Sequence, residues 1–260
     1  MTTMLSPDFD VSLAVSADDL DAAKRLRYDV FVTELGADGP GVDHAAYHEE
    51  DRFDPFAKHL LLRDRNLPAG RDVVGAYRLL TQKGAAAAGQ FYCEDEYDLT
   101  PLKRSEKPLL ELGRSCLHPD YRGGAGLMHL WQAVSDIVAR EKIGILFGVA
   151  SFHGTDADGL AGPLSLLHHR HLAPPHLRVT AKGDAARPLN TVPEDQIDRV
   201  AAMRQTPSLI KAYLRLGGCV GQGAFVDHAF NTTDICLILD THNLTARGRK
   251  LYQGGITADV

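Results

Sequence analysis

Apolar and polar positions alternate clearly enough in the first half of the chain to predict its elements. Val11–Val15 reads as a strand, and Ser16-Ala-Asp-Asp19 as a helix start with acids in its first turn, the helix running to about Leu35. Leu20, Ala23, Arg27, Val30 and Phe31 share one face of that helix, which turns Arg27 inward or toward a cleft. Residues 36–56 are aperiodic and long for a connection, as functional or disordered loops are. His59–Arg63 and Asp72–Leu80 read as antiparallel strands around Asn66-Leu-Pro-Ala-Gly70. Lys83–Gln90 is small and flexible in composition, Glu94–Asp98 is an acidic connection, and a short helix or turn is expected near Thr100-Pro101.

The second half is patterned more strongly. Leu109–Leu117 is a strand, Gly124–Lys142 a helix, and Gly144–Ser151, apolar throughout, a central strand. A helix over Leu160–Leu172 stops at Ala173-Pro-Pro175, residues 176–206 are polar and mixed, and a helix over Ser208–Leu216 ends at Gly217-Gly218. Val220–Val226 and Ile235–Leu239 form a closing pair of strands, and Thr241–Val260 reads as a poorly ordered tail. The expected fold is α/β, an α+β sandwich with a mixed central sheet flanked by helices and a C-terminal elaboration. It forms one domain over residues 1–260, with its core at about residues 10–240.

Charge sharpens this picture. Residues 1–110 hold 13 basic and 20 acidic side chains, and residues 111–260 hold 15 and 14, with nine of the twelve histidines. An acidic half attracts a cationic substrate and a neutral-to-basic half an anionic partner, whereas the acidic balance disfavours nucleic acid. Cys93, Cys116, Cys219 and Cys236 are widely spaced without a CxxC pair, so they read as reduced thiols of a cytoplasmic protein. No apolar run is long enough to span a bilayer, and the first residues lack a leader's positive start and apolar core. Lys211 and Arg215, with Leu209, Ile210, Tyr213 and Leu214, make an amphipathic helix; core packing is its first expectation, and peripheral contact with the inner membrane stays open.

The densest chemistry lies in Glu111-Leu-Gly-Arg114-Ser-Cys-Leu-His-Pro-Asp-Tyr-Arg122-Gly-Gly-Ala-Gly126. A carboxylate on a strand just before a glycine-rich turn into a helix sets a candidate base beside an anion cradle, which suits group transfer from a phosphate-bearing donor. A second reading makes Glu111 a structural partner of Arg114 or Arg78. His168, His169, His171 and His176 lack the further ligands of a zinc site, so no metal is expected. Ser151-Phe-His153 lacks a nucleophile elbow.

The order of elements and Arg122-Gly-Gly-Ala-Gly resemble the GNAT acyltransferases, although the glycines at 123, 124 and 126 fall one residue out of step with that family's loop. Arg27-x-x-x-Phe31, Asp51-x-Phe-Asp54, Gly75-x-x-Arg78 and Glu111-x-x-Arg114 resemble the acyl-homoserine lactone synthases, a GNAT-like group fed by acyl carrier protein, but Ala37 stands where that group has an aromatic. A closer resemblance is to the bacterial ornithine lipid N-acyltransferases (L-ornithine Nα-acyltransferases). It rests on Glu111-Leu-Gly-Arg-Ser-Cys, Ala150-Ser-Phe-His-Gly-Thr-Asp156, Leu167-His-His-Arg-His-Leu-Ala-Pro-Pro175, Leu209-Ile-Lys-Ala-Tyr-Leu-Arg-Leu-Gly217 and Val226-Asp-His-Ala-Phe-Asn-Thr-Thr-Asp234.

That resemblance implies transfer of a 3-hydroxyacyl chain from acyl carrier protein to the α-amine of L-ornithine, giving lyso-ornithine lipid. No cofactor is needed beyond the phosphopantetheine that the carrier brings. Lactone synthesis and a non-catalytic acyl-carrier-protein or lipid-binding module are the alternatives. On the first reading Glu111 deprotonates the α-ammonium, directly or through water, with Arg114 in the same constellation, while His153 lines the site or protonates the leaving thiolate. The backbone of Ser115, Cys116 and Leu117 supplies the oxyanion donor, and Arg122, Gly123, Gly124 and Gly126 hold the phosphopantetheine phosphate. Asp51 and Asp54 receive the side-chain amine, Arg27 or Arg78 the carboxylate, and Phe31 completes the substrate pattern. Alternatively Arg27, Arg78, Asp51, Asp54 and Glu111 form a buried network that shapes the cleft without touching substrate. Arg122, Arg140, Lys142, Arg170 and Arg178 are candidates for docking the acidic carrier.

Overall fold

Ser16 and Asp19 start the first helix as their spacing predicts. The Ser16 hydroxyl accepts the Asp19 N–H at 3.1 Å, and the Asp19 carboxylate accepts the N–H groups of Val15 and Ser16 at 2.9 and 3.1 Å. The computed structural model describes residues 6–123, 125–246, 248 and 249. In it α1 covers Ala17–Arg27 and then widens into a π turn over Tyr28–Glu34, so the expected helix keeps its length but changes its pitch just after Arg27.

Among the described residues nine strands form one sheet: β1 Phe9–Leu13, β2 Lys58–Asp64, β3 Val73–Thr81, β4 Leu109–Leu117, β5 Ile145–His153, β6 Ala186–Arg187, β7 Cys219–Val220, β8 Ala224–Asp227 and β9 Thr232–Asp240. Their order is β1-β2-β3-β4-β5-β9-β8-β6, with β7 also on β9, so the C-terminal half extends the same sheet. Among the strand pairs of the described residues only β4 and β5 run parallel, joined through helix α2, Gly126–Glu141. Helices α3 (Ala161–His171), α4 (Arg199–Gln205) and α5 (Ser208–Leu216) complete the larger elements.

The sheet's two faces bury separate cores. On one, Leu62, Leu110 and Leu237 meet Leu130 and Trp131 of α2 and Ile210 of α5. Ile210, Tyr213 and Leu216 spend the apolar face of α5 on this core, the packing expected from the sequence. On the other face, Phe53, Leu80, Tyr97, Phe147 and Cys236 form a second core, and α1 lays Ala23 and Leu26 over Leu61, Ala76 and Cys116.

Four expectations need correction. Most of Lys83–Gln90 is a helix, Gln82–Ala88, because the Thr81 hydroxyl caps the Gly84 N–H at 3.1 Å and Gly89, at φ +93°, ends it. The strand expected over Val220–Val226 is split into β7 and β8 by Gly221–Gly223, with Gly223 at φ +85°. Residues 176–206 contain β6, α4 and a two-stranded pairing of Thr180–Ala181 with Tyr97–Asp98. The start of the expected tail is tied down, since the Thr241 hydroxyl donates to the Ile143 carbonyl at 2.9 Å and Leu244 is buried; residues 250–260, like Gly124, lie outside the described residues. Among the described residues no helix is long and apolar enough to cross a membrane.

The parallel pair positions the site. β4 and β5 each run nine residues yet share only Leu109–Ile145, Leu110–Leu146 and Glu111–Phe147, after which β4 stays with β3 and β5 with β9. The gap opens immediately past Gly148, where a Cβ would stand 2.0 Å from the Leu112 carbonyl oxygen. Gly148→Ala should therefore push the two strands apart and cost about 3 kcal/mol or more. Urea unfolding of that variant checks this, and an unchanged midpoint would refute the close approach.

Candidate active site

A cavity of about 240 Å³ fills the gap between the diverging strands. Leu112, Leu146, Leu209, Leu237, Leu239 and the Tyr77 and Tyr213 rings line its apolar end; Glu111, Arg78, Arg114, Asp227 and Asp234 line its polar end. A chain of methylenes and a charged head group have complementary walls here.

Glu111 projects from β4 and is 3% exposed. Its two oxygens accept one backbone N–H each, from Tyr92 at 2.8 Å and Cys93 at 2.6 Å, which fixes the carboxyl group without any hydrogen bond to an arginine. Burial pushes its pKa up, against the opposing pull of the Cys93 thiol, those two N–H groups and the charge of Arg78. A carboxylate raised in this way is a better proton acceptor than an exposed one.

Next to it β4 bulges. Ala76 pairs with Cys116 and Arg78 with Gly113, so β4 carries one residue more than β3 between these pairs, and Arg114 sits there at φ +50°. A bulge leaves a backbone group out of the ladder, and this one falls on Arg114 and Ser115, both cavity residues. The Tyr77 and Tyr213 hydroxyls hydrogen-bond at 2.5 Å beside Ser115; burial pushes the Tyr77 phenol up to about 12, with the Tyr213 and Ser115 hydroxyls pulling the other way. Sequence reasoning missed this pair, because the two tyrosines lie 136 residues apart.

Arg114 also closes a ring of six charges. Arg27 donates to Glu49 at 2.5 Å and Asp54 at 2.9 Å; Arg78 to Asp54 at 2.9 Å and Asp51 at 2.5 Å; Arg114 to Asp51 at 2.8 Å and Glu49 at 3.1 Å. Three arginines and three carboxylates alternate, so each charge lies between two of opposite sign. Burial pushes the Asp54 and Asp51 carboxyls up, but the neighbouring arginines more than offset it and hold both below the usual carboxylate range. Arg27, Arg78, Asp51 and Asp54 are thus brought together, joined by Arg114 and by Glu49, which the sequence reading omitted, while Glu111 stands outside the ring. The Arg114 guanidinium lies over the Tyr92 and Phe230 rings at 4.8 and 4.6 Å, and Phe31 meets Phe230 edge to face at the cavity wall.

The remaining expected residues separate. His153 is exposed at the end of β5 and is not among the residues lining the cavity. Cys116 is buried against α1, and Leu117 packs at the foot of α2 against Gly75 and Gly126. Gly123 takes φ +75°, and α2 begins with Ala125 at its cap, a residue with no side chain to satisfy the first N–H groups. Arg122 is committed twice, to the Leu117 carbonyl at 3.1 Å and to both oxygens of Glu34 at 2.6 Å. Among the other candidate docking residues Arg170 pairs with Glu194 at 2.7 Å and Arg178 donates to the Ala173 carbonyl at 2.8 Å.

Glu96, Asp227 and Asp234 converge beside the cavity, a cluster that joins Glu96 to the β8–β9 hairpin far along the chain. Burial, reinforced by the Asp227 charge and opposed by the Ser151 and Thr232 hydroxyls and Arg114, pushes Asp234 up to about 6. Between about pH 4 and 6 the folded chain then keeps a proton that the unfolded chain gives up, so this group's penalty appears as pH rises through that window and is complete above it. Asp234→Asn should raise the melting temperature at pH 8 and leave it nearly unchanged near pH 4; an equal shift at both would refute the crowding.

Residues 26–132 match the Acetyltransferase (GNAT) domain model. The chain is 52% identical over 246 residues to an L-ornithine N(alpha)-acyltransferase of Rhodobacter capsulatus, covering 94% of each, and 39% identical over 247 residues to one of Brucella abortus, covering 94% of this chain and 88% of the relative. Among solved structures, FeeM, an N-acyl amino acid synthase from uncultured soil microbes, superposes with a TM-score of 0.53 at 12% identity over 94% of this chain and 98% of that one. The AHL synthase LasI does so at 0.51 and 16% identity over 98% and 100%. These two share the fold, a mixed sheet flanked by helices as expected.

Proposed function

Because the chain belongs to the L-ornithine N(alpha)-acyltransferases, on a GNAT-like fold, we propose that it moves a 3-hydroxyacyl chain from acyl carrier protein to the α-amine of L-ornithine, giving lyso-ornithine lipid. The identity of 52% across 94% of both chains carries the choice of acceptor. The two-ended cavity supports the chemistry, with methylene-lined walls for the acyl chain and a fixed, raised carboxylate at the polar end.

Glu111 takes the proton of the attacking amine, directly or through a water. The backbone of the Arg114–Ser115 bulge hydrogen-bonds the thioester oxygen as it becomes an oxyanion. With its phenol pushed up to about 12, Tyr77 keeps its proton beside Ser115 and serves there as a hydrogen-bond donor rather than an acid. The departing thiolate needs no strong acid, and His153 has no part in its release. The open N-terminus of α2 receives the phosphodiester of phosphopantetheine. The charge ring acts as scaffold, since Asp51, Asp54, Arg27 and Arg78 are already neutralised by one another.

Purified protein with 3-hydroxyacyl carrier protein and ornithine should yield the Nα-acylated amino acid by mass spectrometry. It should yield none with lysine or S-adenosylmethionine in place of ornithine. A lactone from S-adenosylmethionine would replace this reading with lactone synthesis, and carrier binding without product from any amine would replace it with a binding module.

A further inference from the structure

The polar end of the cavity gathers three acids that no described lysine or arginine pairs with. Glu96 lies on the loop after Asp95, Asp227 ends β8, and Asp234 lies on β9 opposite Ser151. One carboxylate oxygen from each falls within 4.8 Å of the others. Glu96 and Asp234 are each 3% exposed, and Glu96 Oε2 and Asp234 Oδ1 are buried without a hydrogen-bond partner among the described residues. Asp227 spends Oδ1 on the N–H groups of Ala229 and Phe230 at 2.8 and 3.1 Å, which leaves Oδ2. No described lysine or arginine forms an ion pair with any of the three, in contrast to the saturated ring nearby. Buried acceptors of this kind, left open beside a cavity, are shaped for a cation that arrives from outside.

We propose that Glu96, Asp227 and Asp234 together bind the side-chain ammonium of the acceptor amino acid. This assignment rests on the ornithine reading and deepens it. Three oxygens set tetrahedrally about 2.8 Å from one ammonium nitrogen stand about 4.6 Å apart, within the observed spread. Asp227 and Asp234 line the cavity that Glu111 also lines, on the same face of the sheet as Glu111 and further along β5. An acceptor seated in the cluster by its side chain therefore presents its other amine toward the base. The sequence reading gave this task to Asp51 and Asp54, whose charges the arginines already meet.

The test compares ornithine with 2-aminopentanoic acid, which has the same carbon chain without the second amine. Wild type should favour ornithine at least 100-fold in kcat/KM. Asp234→Asn and Glu96→Gln should each cut that preference at least tenfold, chiefly through the ornithine KM. Thermal shift without an acyl donor reads the cluster by itself: ornithine, and not 2-aminopentanoic acid, should raise the wild-type melting temperature, and both substitutions should abolish the rise. No rise in wild type, or an undiminished preference in both variants, overturns the proposal while leaving ornithine acylation standing. A rise with ornithine but no acylated product would instead remove the acylation reading and keep the ammonium site. Micromolar Mg²⁺ or Ca²⁺ raising the melting temperature in wild type and not in Asp234→Asn, with no effect of ornithine, would make the cluster a metal site and overturn the proposal.

Discussion

Arg27→Met is expected to lower the free energy of unfolding by about 3–5 kcal/mol, the cost of leaving buried partners with an uncompensated charge. Arg27 is 1% exposed and holds Glu49, also 1% exposed, and Asp54. Without it the ring carries two positive and three negative charges, and Glu49 and Asp54 each keep one arginine. Methionine restores the volume but not the charge. Equilibrium urea unfolding measures the loss, and adding Asp54→Asn should recover part of it, because the remaining two arginines then face two carboxylates. The wild-type advantage has a pH dependence of definite sign. Asp51 and Asp54 are held low in the folded state, so their stabilisation is full above the unfolded value of about 4 and is lost as pH falls below it. A loss below 1 kcal/mol at pH 7 would mean that water or other groups already screen the ring.

Glu111→Gln is expected to keep the fold and lower kcat at least tenfold. Glutamine offers one acceptor oxygen where the carboxylate offers two, so the N–H of Tyr92 or Cys93 loses its partner at about 1 kcal/mol, too little to unfold the chain. The rate loss comes from removing the proton acceptor. A pH profile separates the two effects. In wild type kcat/KM should rise with pH through a limb above the ordinary glutamate value, because the ionised form of a raised carboxyl predominates only there. In the variant this limb should vanish. A full rate, or a reduced rate with the limb intact, would remove Glu111 from the proton transfer and leave it as the anchor of the Tyr92–Cys93 backbone.

The strand Leu109–Leu117, the helix after the glycines and the strand ending at Ser151 were legible to within a few residues, because each buries a regular face. Arg27 was legible as an inward residue from its place on an apolar helical face. Glu49 was not, since it lies in an aperiodic loop where no spacing marks one acid among several. The helix over Gln82–Ala88 escaped notice because its alanines and glycine have no polar face to set against an apolar one. The acidic cluster joins residues up to 138 positions apart from Glu96 to Asp234, and the tyrosine pair joins residues 136 apart. Such meetings are set by strand order, and strand order is what local pattern leaves undetermined.

The place of β9 in that order has a consequence for how the chain is made. This strand is buried at all nine positions and pairs with the whole of β5, yet it is synthesised about 80 residues later. At ribosomal rates of about 5–20 residues per second, the roughly 120 residues from Glu111 to Asp234 take about 6–25 s. During that interval the charge ring, drawn from residues 27–114, has all its members, while β5 presents an unpaired apolar edge. The nascent chain is therefore most prone to aggregate just before its pocket gains its last wall, and chaperone contact should concentrate on residues 145–153.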